Sequence, residues 1–378
     1  MFFQNNNPSI SKPEPQHRKK TVVAQNIAMY DLVVFSHLRW NFVYQRPQHI
    51  ISRMSKEYRT LFIEEPIPYI EDEKYEYDLE HVLPTVDVLR PKVSSISEIA
   101  TILIKLNLTN VKIAWFYSAA FSGLLSTLKA NTIIYDCMDE LSLFKGADSN
   151  LVMQEGELMR KADIIFTGGK SLYESKSASS DKVYCFPSSV DISHFQKAQN
   201  GLEIPQDIAN IKGPIVGYIG VIDERINLEI LEGIAKMQPG FSFVMVGPVV
   251  KIDENDLPRT ANIHYLGMKS YDSLPQYLKA IDITMMPFAL NDSTKYISPT
   301  KTLEYMAAGK PIISTPIKDV VRDYSDSVYI VSTVREFSEA LEKINLSPVN
   351  NYISQYQDIL LKTSWNHTSE QMLHLIQN

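Results

Sequence analysis

A segment near the C-terminal end of the chain combines a lysine and a glutamate with the start and stop signals of a short helix. Ser298 suits the N-cap and Pro299 suits the first helical position, where no N–H is needed. Gly309 is a typical stop signal. The slot three residues after the cap holds Lys301, where glutamate or glutamine is favoured. A cation beside the positive end of the helix dipole is mildly unfavourable unless an anion binds there.

These features predict a phosphate site formed by the free N–H groups of the helix and by Lys301. Glu304 follows one turn later on the same face, where its carboxylate could accept hydrogen bonds from ribose hydroxyls. The alternative is an ordinary capped helix in which Lys301 and Glu304 form an ion pair. The spacing alone does not decide between these two interpretations.

Composition narrows the class of protein. The chain has 378 residues, which favours two domains of ordinary size. Its formal net charge of −7 gives no support to a nucleic-acid binder with a global basic field. Cys137 and Cys185 indicate neither a disulfide scaffold nor a zinc site. No apolar stretch is long enough to span a bilayer and no signal-peptide pattern is evident, so we expect a cytoplasmic protein.

Strand-like apolar segments alternate with helical segments along most of the chain. This alternation predicts an α/β protein with doubly wound, mostly parallel sheets. Residues Val82 to Leu89 are expected to form one strand. The expected division is a tail over residues 1–29, a Rossmann-like domain over 30–195, a linker over 196–214, a second Rossmann-like domain over 215–365, and a C-terminal helix over 366–378 that could pack back on the first domain.

Two loops of the N-terminal half follow predicted strands. Ligands of such sheets bind beyond the carboxyl ends of strands, so the loop from His37 to Arg46 and the loop from Asp136 to Glu140 should lie on one rim. Trp40 and Tyr44 could stack on sugar rings of an acceptor, or pack locally. Arg46 and Gln48 could bind an acceptor phosphate at a helix start, or simply tie the loop down.

Ordered motifs give a more specific indication. They are Gly217-Tyr218-Ile219-Gly220, Val246-Gly247-Pro248, Ile263-His264-Tyr265-Leu266-Gly267, Met286-Pro287-Phe288 and the segment Ser298 to Pro311. Together they resemble the group 1, family-4-like nucleotide-sugar glycosyltransferases of the GT-B fold, in which two Rossmann-like domains face a cleft. In the first half, Trp40, Arg46-Pro47-Gln48-His49 and Tyr135-Asp136 look like a bacterial subgroup that builds surface polysaccharides of the teichuronic acid type.

The resemblance implies a donor site in the second domain and an acceptor site in the first. It implies that Glu304 binds the donor ribose and that Lys301 is the counter-charge of the diphosphate. The other implied donor contacts are Ser298, Pro299 and Thr300 at the helix start, Leu266 and Gly267 at the base, and Gly220 and Gly247 at strand ends. Arg225 corresponds to a basic phosphate ligand of the family; the alternative is a surface arginine beside Asp223 and Glu224.

The chain departs from the family in one respect. The family pattern has two glutamates with seven residues between them, and the first would fall at Tyr296. That glutamate normally serves the sugar hydroxyls, so its absence leaves retention or inversion of the anomeric centre open. Asn291, Asp292, Ser293 or Lys295 could contact the sugar instead.

An inverting reaction needs a base for the acceptor proton. Asp139 is the first candidate and His37 the alternative, whereas Asp136 is better suited to holding the loop. Both aspartates could instead cap the following turn. Since no convincing Asp-X-Asp metal motif occurs, we expect a metal-independent reaction without a cofactor.

The leading interpretation is an enzyme that moves a sugar from a nucleotide-diphosphate donor, UDP-linked, to a saccharide or lipid-linked acceptor in bacterial surface polysaccharide synthesis. It would work in the cytoplasm, with a peripheral contact to the inner face of the cell membrane. The alternatives are a nucleotide-sugar epimerase of the same fold and a catalytically inactive nucleotide-binding subunit of a polysaccharide synthase.

Overall fold

A computed structural model describes residues 29–67, 76–346 and 352–378 of the chain. The predicted tail over residues 1–29 therefore lies almost entirely outside the described residues. Two compact units are present: the described part of Met1–Phe166 with Ser180–Tyr184, and the described part of Thr167–Ser179 with Cys185–Asn378. In the described residues, no helix is both long and apolar enough to cross a bilayer.

The first unit is built on an eight-stranded sheet. Its strands are β1 (Leu32–Ser36), β2 (Thr60–Glu64), β3 (Tyr77–Leu83), β4 (Val86–Pro91), β5 (Asn110–Phe116), β6 (Lys129–Cys137), β7 (Ile164–Thr167) and β8 (Val183–Cys185). Their order is β3-β4-β2-β1-β5-β6-β7-β8. The helices of this unit are α1 (Arg46–Met54), α2 (Ile99–Lys105) and α3 (Leu151–Lys161).

The prediction of one strand over Val82 to Leu89 is wrong. The chain reverses at Pro84-Thr85, and β3 pairs antiparallel with β4 through Leu83 and Val86. Proline cannot donate to a sheet ladder, and it favours a turn, so the apolar run breaks there. The reversal adds an antiparallel edge strand next to β4, whereas the pairings from β4 through β2, β1 and β5 to β6 are parallel.

The second unit contains a six-stranded sheet. Its strands are β9 (Ile215–Ile219), β10 (Ser242–Val246), β11 (Ile263–Gly267), β12 (Ile283–Met286), β13 (Ile312–Ser314) and β14 (Tyr329–Ile330). Its helices are α4 (Lys170–Ser177), α5 (Ile192–Phe195), α6 (Gln206–Ala209), α7 (Leu228–Met237), α8 (Leu274–Ala280), α9 (Thr300–Ala307), α10 (Lys318–Tyr324), α11 (Val334–Leu346), α12 (Tyr352–Leu360) and α13 (Trp365–Gln377).

The strand order of the second sheet is β11-β10-β9-β12-β13-β14. Numbered from its first strand, this is the 3-2-1-4-5-6 order of a Rossmann fold. The first sheet repeats it in β4-β2-β1-β5-β6-β7. The prediction of two Rossmann-like, doubly wound domains is therefore confirmed. In such a fold the ligand crevice opens where the strand order reverses, which is between β9 and β12 in the second unit.

Sequence periodicity explains most of these elements. Strands β1, β9 and β10 are buried along their whole length, as expected of parallel strands covered on both faces. Helix α7 buries Ile230, Leu231 and Ile234 on one face, and the Asn227 side chain caps it by accepting from the Ile230 N–H. Strand β14 was not predicted because two residues are too short for a recognisable pattern.

The ends of the second unit extend beyond its sheet. Residues 196–214, expected to be a linker, belong to this unit and include α6. There Asp207 accepts a hydrogen bond from the Tyr277 hydroxyl at 3.0 Å. Helix α13 also belongs to the second unit, where the Thr368 and Ser189 hydroxyls lie 2.7 Å apart.

Candidate active site

Three adjacent strands of the second sheet end at or just before a glycine. The Gly220 N–H donates to the Val246 carbonyl at 2.9 Å, and the Gly247 N–H donates to the Gly267 carbonyl at 3.0 Å. Gly247 has a φ of +152°, and a Cβ there would lie 1.8 Å from the Gly220 carbonyl oxygen. Only glycine permits this approach. The strand ends thus form one backbone edge, and the half-buried Leu266 lies beside it in β11.

Helix α9 begins one residue later than predicted. Ser298 is not its cap, because the Ser298 carbonyl accepts a hydrogen bond from the Ser188 hydroxyl at 2.6 Å. Pro299 is the N-cap instead, with extended backbone dihedrals. Lys301 is therefore the second helical residue, and Thr302 fills the slot three after the cap. No side-chain cap is formed and the first turn holds no acidic residue, so this N-terminus can still accept an anion.

Lys301 and Glu304 pair with each other on one face of α9. The Lys301 Nζ lies 2.8 Å from the Glu304 Oε2, and the two side chains are 15% and 7% exposed. This is the geometry of the ion-pair alternative. It is also compatible with a phosphate site, because both groups lie near a helix start that has no side-chain cap. A diphosphate could compete for the ammonium, while ribose hydroxyls could donate to the released carboxylate.

The Arg225 side chain is held by Asp223. Its Nε lies 3.0 Å and 3.1 Å from the two carboxylate oxygens, and its Nη2 lies 2.7 Å from Oδ2. Asp223 is 5% exposed and Arg225 is 23% exposed. A bidentate pair fixes the plane of a guanidinium, so Asp223 orients Arg225 while part of the cation stays accessible.

A buried tyrosine connects the glycine edge to α9. The Tyr305 hydroxyl accepts a hydrogen bond from the Ile219 N–H at 2.8 Å, at the end of β9. Burial raises the pKa of Tyr305 well above its usual value, so the phenol stays neutral. Burial also raises the pKa of Tyr218, whose ring is close enough to feel the charges of Arg225 and Glu304. The hydrogen bond between Tyr305 and Ile219 therefore holds α9 against the end of β9, which the loop carrying Arg225 follows.

The loops after β9 and β12 pair across the point where the strand order reverses. The Ala289 N–H donates to the Arg225 carbonyl at 2.7 Å, and Ile226 forms a β-bridge with Phe288. The Asn291 side chain donates to the Glu224 carbonyl at 3.1 Å. Of the predicted donor-site candidates, Gly220, Gly247, Leu266 and Gly267 lie at the ends of adjacent strands, and Arg225 lies in the loop after β9. Ser298, Pro299, Thr300, Lys301 and Glu304 lie at or near the start of α9, whose Tyr305 contacts the end of β9.

In the first unit, the two predicted loops meet through a buried ion pair. The Arg46 Nη2 lies 2.9 Å from the Asp136 Oδ1, and the side chains are 4% and 0% exposed. Because the carboxyl ends of β1 and β6 lie at one sheet edge, the expectation of a shared rim holds. Because the two charges are paired and buried, Asp136 is poorly placed to act as a base. Arg46 is poorly placed to bind a phosphate for the same reason. Both fit the alternative in which they hold the loops.

The Gln48 side chain forms hydrogen bonds to the backbone of the loop between His37 and Arg46. Its Oε1 accepts from the Gln45 N–H at 3.0 Å, and its Nε2 donates to the Trp40 carbonyl at 3.0 Å. The Trp40 ring packs edge-on against Phe62, with 5.0 Å between ring centroids. These contacts correspond to local packing, although the Trp40 side chain stays partly exposed.

The remaining candidates differ in accessibility. Tyr44 is half-buried with its ring edge-on to His49, at 4.6 Å between centroids. His37 is buried at the end of β1, whereas Asp139 is half-buried and follows β6. Asp139 is therefore the more accessible of the two leading base candidates.

Sequence reasoning missed a carboxylate at the same rim. Glu64 ends β2 with no exposure, and its Oε2 lies 3.2 Å from Arg39 Nη1 and 3.3 Å from Arg90 Nε. Its Oε1 accepts from the Trp40 N–H at 2.8 Å. A glutamate at the end of a buried strand was a visible signal, but its partners are distant in sequence. Glu64 anchors the loop that carries Trp40.

Comparison with known proteins identifies the family of the second unit. Residues 213–345 match the family model described as glycosyl transferases group 1. All the donor-site candidates lie within this range. This segment is a group 1 glycosyltransferase domain.

Whole-chain comparisons agree with that result. A protein of Bacillus subtilis strain 168, named as the teichuronic acid biosynthesis glycosyltransferase TuaH, is 23% identical over 283 residues, covering 68% of this chain and 70% of that protein. A trehalose-6-phosphate structure from E. coli with bound UDP-2-fluoro glucose has a TM-score of 0.67 at 12% identity, covering 91% of this chain and 98% of the other. Sucrose-phosphate synthase of Thermosynechococcus elongatus has a TM-score of 0.68 at 13% identity, with coverages of 92% and 98%. The chain is a glycosyltransferase with two Rossmann-like domains.

Proposed function

We propose that this glycosyltransferase takes its sugar from a UDP-linked donor and transfers it to a saccharide or lipid-linked saccharide of a bacterial surface polysaccharide. The observation that carries the donor assignment is the Lys301–Glu304 pair at the uncapped start of α9. A hydrogen bond between Tyr305 and Ile219 keeps this helix beside the glycine edge. An anion-binding group, a hydroxyl-binding group and a backbone surface for a base therefore border one site.

Transfer requires stabilisation of the leaving diphosphate. Negative charge develops on this group as the anomeric bond breaks, so N–H groups and cations that already point at it lower the barrier. The N–H groups at the start of α9 supply such donors, with Lys301 and Arg225 as cations. In this proposal no metal ion is needed, and transfer should persist when EDTA is added.

The choice of uridine is supported by one structural neighbour, whose structure contains UDP-2-fluoro glucose. The backbone near Leu266 and Gly267 would hold the base, while Glu304 would bind the ribose. Acceptor chemistry is assigned to the first unit. Asp139 is the proposed base for an inverting transfer, with His37 as the alternative.

The polysaccharide assignment is supported by similarity to a protein named for teichuronic acid biosynthesis. A lipid-linked acceptor would place the reaction at the cytoplasmic face of the membrane, with the enzyme bound peripherally. Incubation with a donor alone separates this proposal from the epimerase alternative, because an epimerase would convert the donor sugar without an acceptor. An inactive subunit would bind the donor and release no UDP in any mixture.

The donor assignment is tested by thermal shift with UDP-, GDP- and dTDP-sugars, because a ligand that binds the native state raises the melting temperature by mass action. We expect the largest shift from a UDP-sugar, and a much smaller one in the Glu304→Gln and Lys301→Ala variants. Glu229→Gln, on α7, is a matched control that should keep the full shift. Undiminished UDP binding in both site variants would refute the donor site.

A further inference from the structure

A small open pocket lies where the loops after β12 and β13 meet, beside the loop that leads into α9. Its cavity volume is about 230 Å³. Drug-sized ligands usually occupy pockets of about 300 Å³ or more, so this pocket suits one sugar-sized group and not a whole nucleotide. Leu290, Pro316 and Ile317 supply an apolar surface, and the remaining lining residues are Asn291, Thr294, Lys295 and Lys318.

The uncharged polar groups of this pocket are used to hold the loop. The Asn291 Oδ1 accepts from the Ser293 hydroxyl at 2.7 Å and from the Thr294 N–H at 3.2 Å. The Asn291 Nδ2 donates to the Glu224 carbonyl at 3.1 Å, and the Thr294 hydroxyl donates to the Ala289 carbonyl at 2.6 Å. Recognition of a ligand is therefore left to the apolar surface and to the two lysines.

The two lysines differ in their partners. The Lys318 Nζ lies 2.8 Å from Glu174, so its charge is already balanced. Lys295 is exposed, and its Nζ lies 5.2 Å from the centre of the Tyr296 ring. Within the described residues Lys295 forms no ion pair. Asp292 lies on the same turn and is also exposed, but it does not line the pocket. Of the two lysines that line the pocket, Lys295 is therefore the one whose ammonium is not held in an ion pair within the described residues.

We infer that this pocket binds a sugar that carries a carboxylate or phosphate, and that Lys295 binds this anionic group. The inference rests on the proposed function and specifies its substrate class. Tyr296 stands where the resembling family has the glutamate that serves sugar hydroxyls, so the chain presents a cation and a ring where a carboxylate is expected. A carboxylate would repel an acidic sugar, whereas a lysine attracts it.

The acidic sugar could be the donor's or the acceptor's, and two binding measurements by isothermal titration calorimetry distinguish them. The donor arm compares UDP-glucuronate with UDP-glucose. The acceptor arm adds saturating UDP and compares a glucuronate–N-acetylglucosamine disaccharide with neutral diacetylchitobiose. In one of these arms the acidic ligand should bind roughly three- to tenfold more tightly at low salt, as expected for one partly exposed charge pair. The preference should shrink as salt rises.

Variants of Lys295 test whether this residue is responsible. Lys295→Met should abolish the preference for the acidic ligand without changing the affinity for UDP alone, whereas Lys295→Arg should retain it. Lys236→Met is the matched control, because that exposed lysine lies on α7 and pairs with Glu232. It should leave the preference unchanged.

Equal binding of acidic and neutral ligands in both arms would overturn the inference, and so would a preference that survives Lys295→Met. If UDP binds but neither arm shows a preference, the proposed function stands and only this inference fails. If UDP itself does not bind, the proposed donor site fails, and this inference fails with it.

Discussion

Substitutions of Lys301 and Glu304 should change the free energy of unfolding and the affinity for nucleotides in different ways. Lys301→Met removes the partner of a carboxylate that is only 7% exposed. Breaking a buried pair from one side costs about 3–5 kcal/mol, and the 15% exposure of Lys301 lowers this to about 2 kcal/mol. Because Lys301→Met combined with Glu304→Gln leaves no unpaired charge, the double variant should be more stable than Lys301→Met alone. Urea denaturation of Lys301→Met and of the double variant measures this difference.

Ligand-binding measurements should distinguish Lys301 from Glu304, because each residue is proposed to contact a different part of the nucleotide. A charge-assisted hydrogen bond contributes about 1.5–3 kcal/mol, so Lys301→Met should weaken UDP binding by roughly 10- to 100-fold and leave uridine binding nearly unchanged. Glu304→Gln should weaken uridine and UDP binding by similar factors, because the ribose is common to both ligands. Isothermal titration calorimetry with uridine, UMP and UDP measures the two losses separately.

The reasoning would be refuted if Lys301→Met weakened uridine and UDP binding equally. It would also be refuted if Glu304→Gln affected neither ligand. If neither variant changed the binding of either ligand, the pair would be an ordinary ion pair, and the double variant would differ from wild type in stability alone.

Three further predictions concern stability. Asp136→Asn removes the charged partner of the buried Arg46 and should cost about 3–5 kcal/mol, measured as a lower urea midpoint. Gly247→Ala places a Cβ 1.8 Å from the Gly220 carbonyl oxygen and should cost at least about 2 kcal/mol, measured in the same way. Burial raises the pKa of Tyr265 from its usual value near 10 to about 12, so its stabilising effect is complete below pH 10 and is lost as pH rises towards 12. Tyr265→Phe should therefore flatten the alkaline fall in melting temperature.

Each of these predictions has a control in the same chain. Asp139→Asn changes a half-buried carboxylate and should lower stability much less than Asp136→Asn. Gly240→Ala places its methyl group in open space and should be nearly neutral. Tyr173 is exposed on α4, so Tyr173→Phe should leave the alkaline melting profile unchanged. Equal effects of a variant and its control would contradict the structural reason given for that variant.

Several elements of the donor site were predictable from local sequence. Helix α7 follows from local signals, because its apolar periodicity and its Asn227 cap act over one or two turns. The glycines after β9 and β10 were also recognised as strand ends. The cap of α9 was misplaced by one residue because a hydroxyl from Ser188, far away in sequence, binds the Ser298 carbonyl.

The roles of charged side chains were harder to predict. Arg46 and Asp136 are 90 residues apart, and their pairing depends on which strands are neighbours in the sheet. Glu64 was missed for the same reason, since its arginine partners lie on two other segments. The sequence offered Arg46 and Asp136 as possible functional groups, and their burial in one ion pair indicates that they hold loops, as Glu64 does.

The sequence by itself determined the alternation of strands and helices, the two Rossmann-like sheets, and the positions of the glycines and of the lysine and glutamate on α9. Hydrophobic period and turn chemistry carry this information, because they act between residues a few positions apart. Tertiary structure alone decided which charges pair, which carboxylates are shielded from water, and that the loops after β9 and β12 join where the strand order reverses. Those outcomes depend on distances between segments that are remote in the chain, and such distances exist only after the sheets have formed.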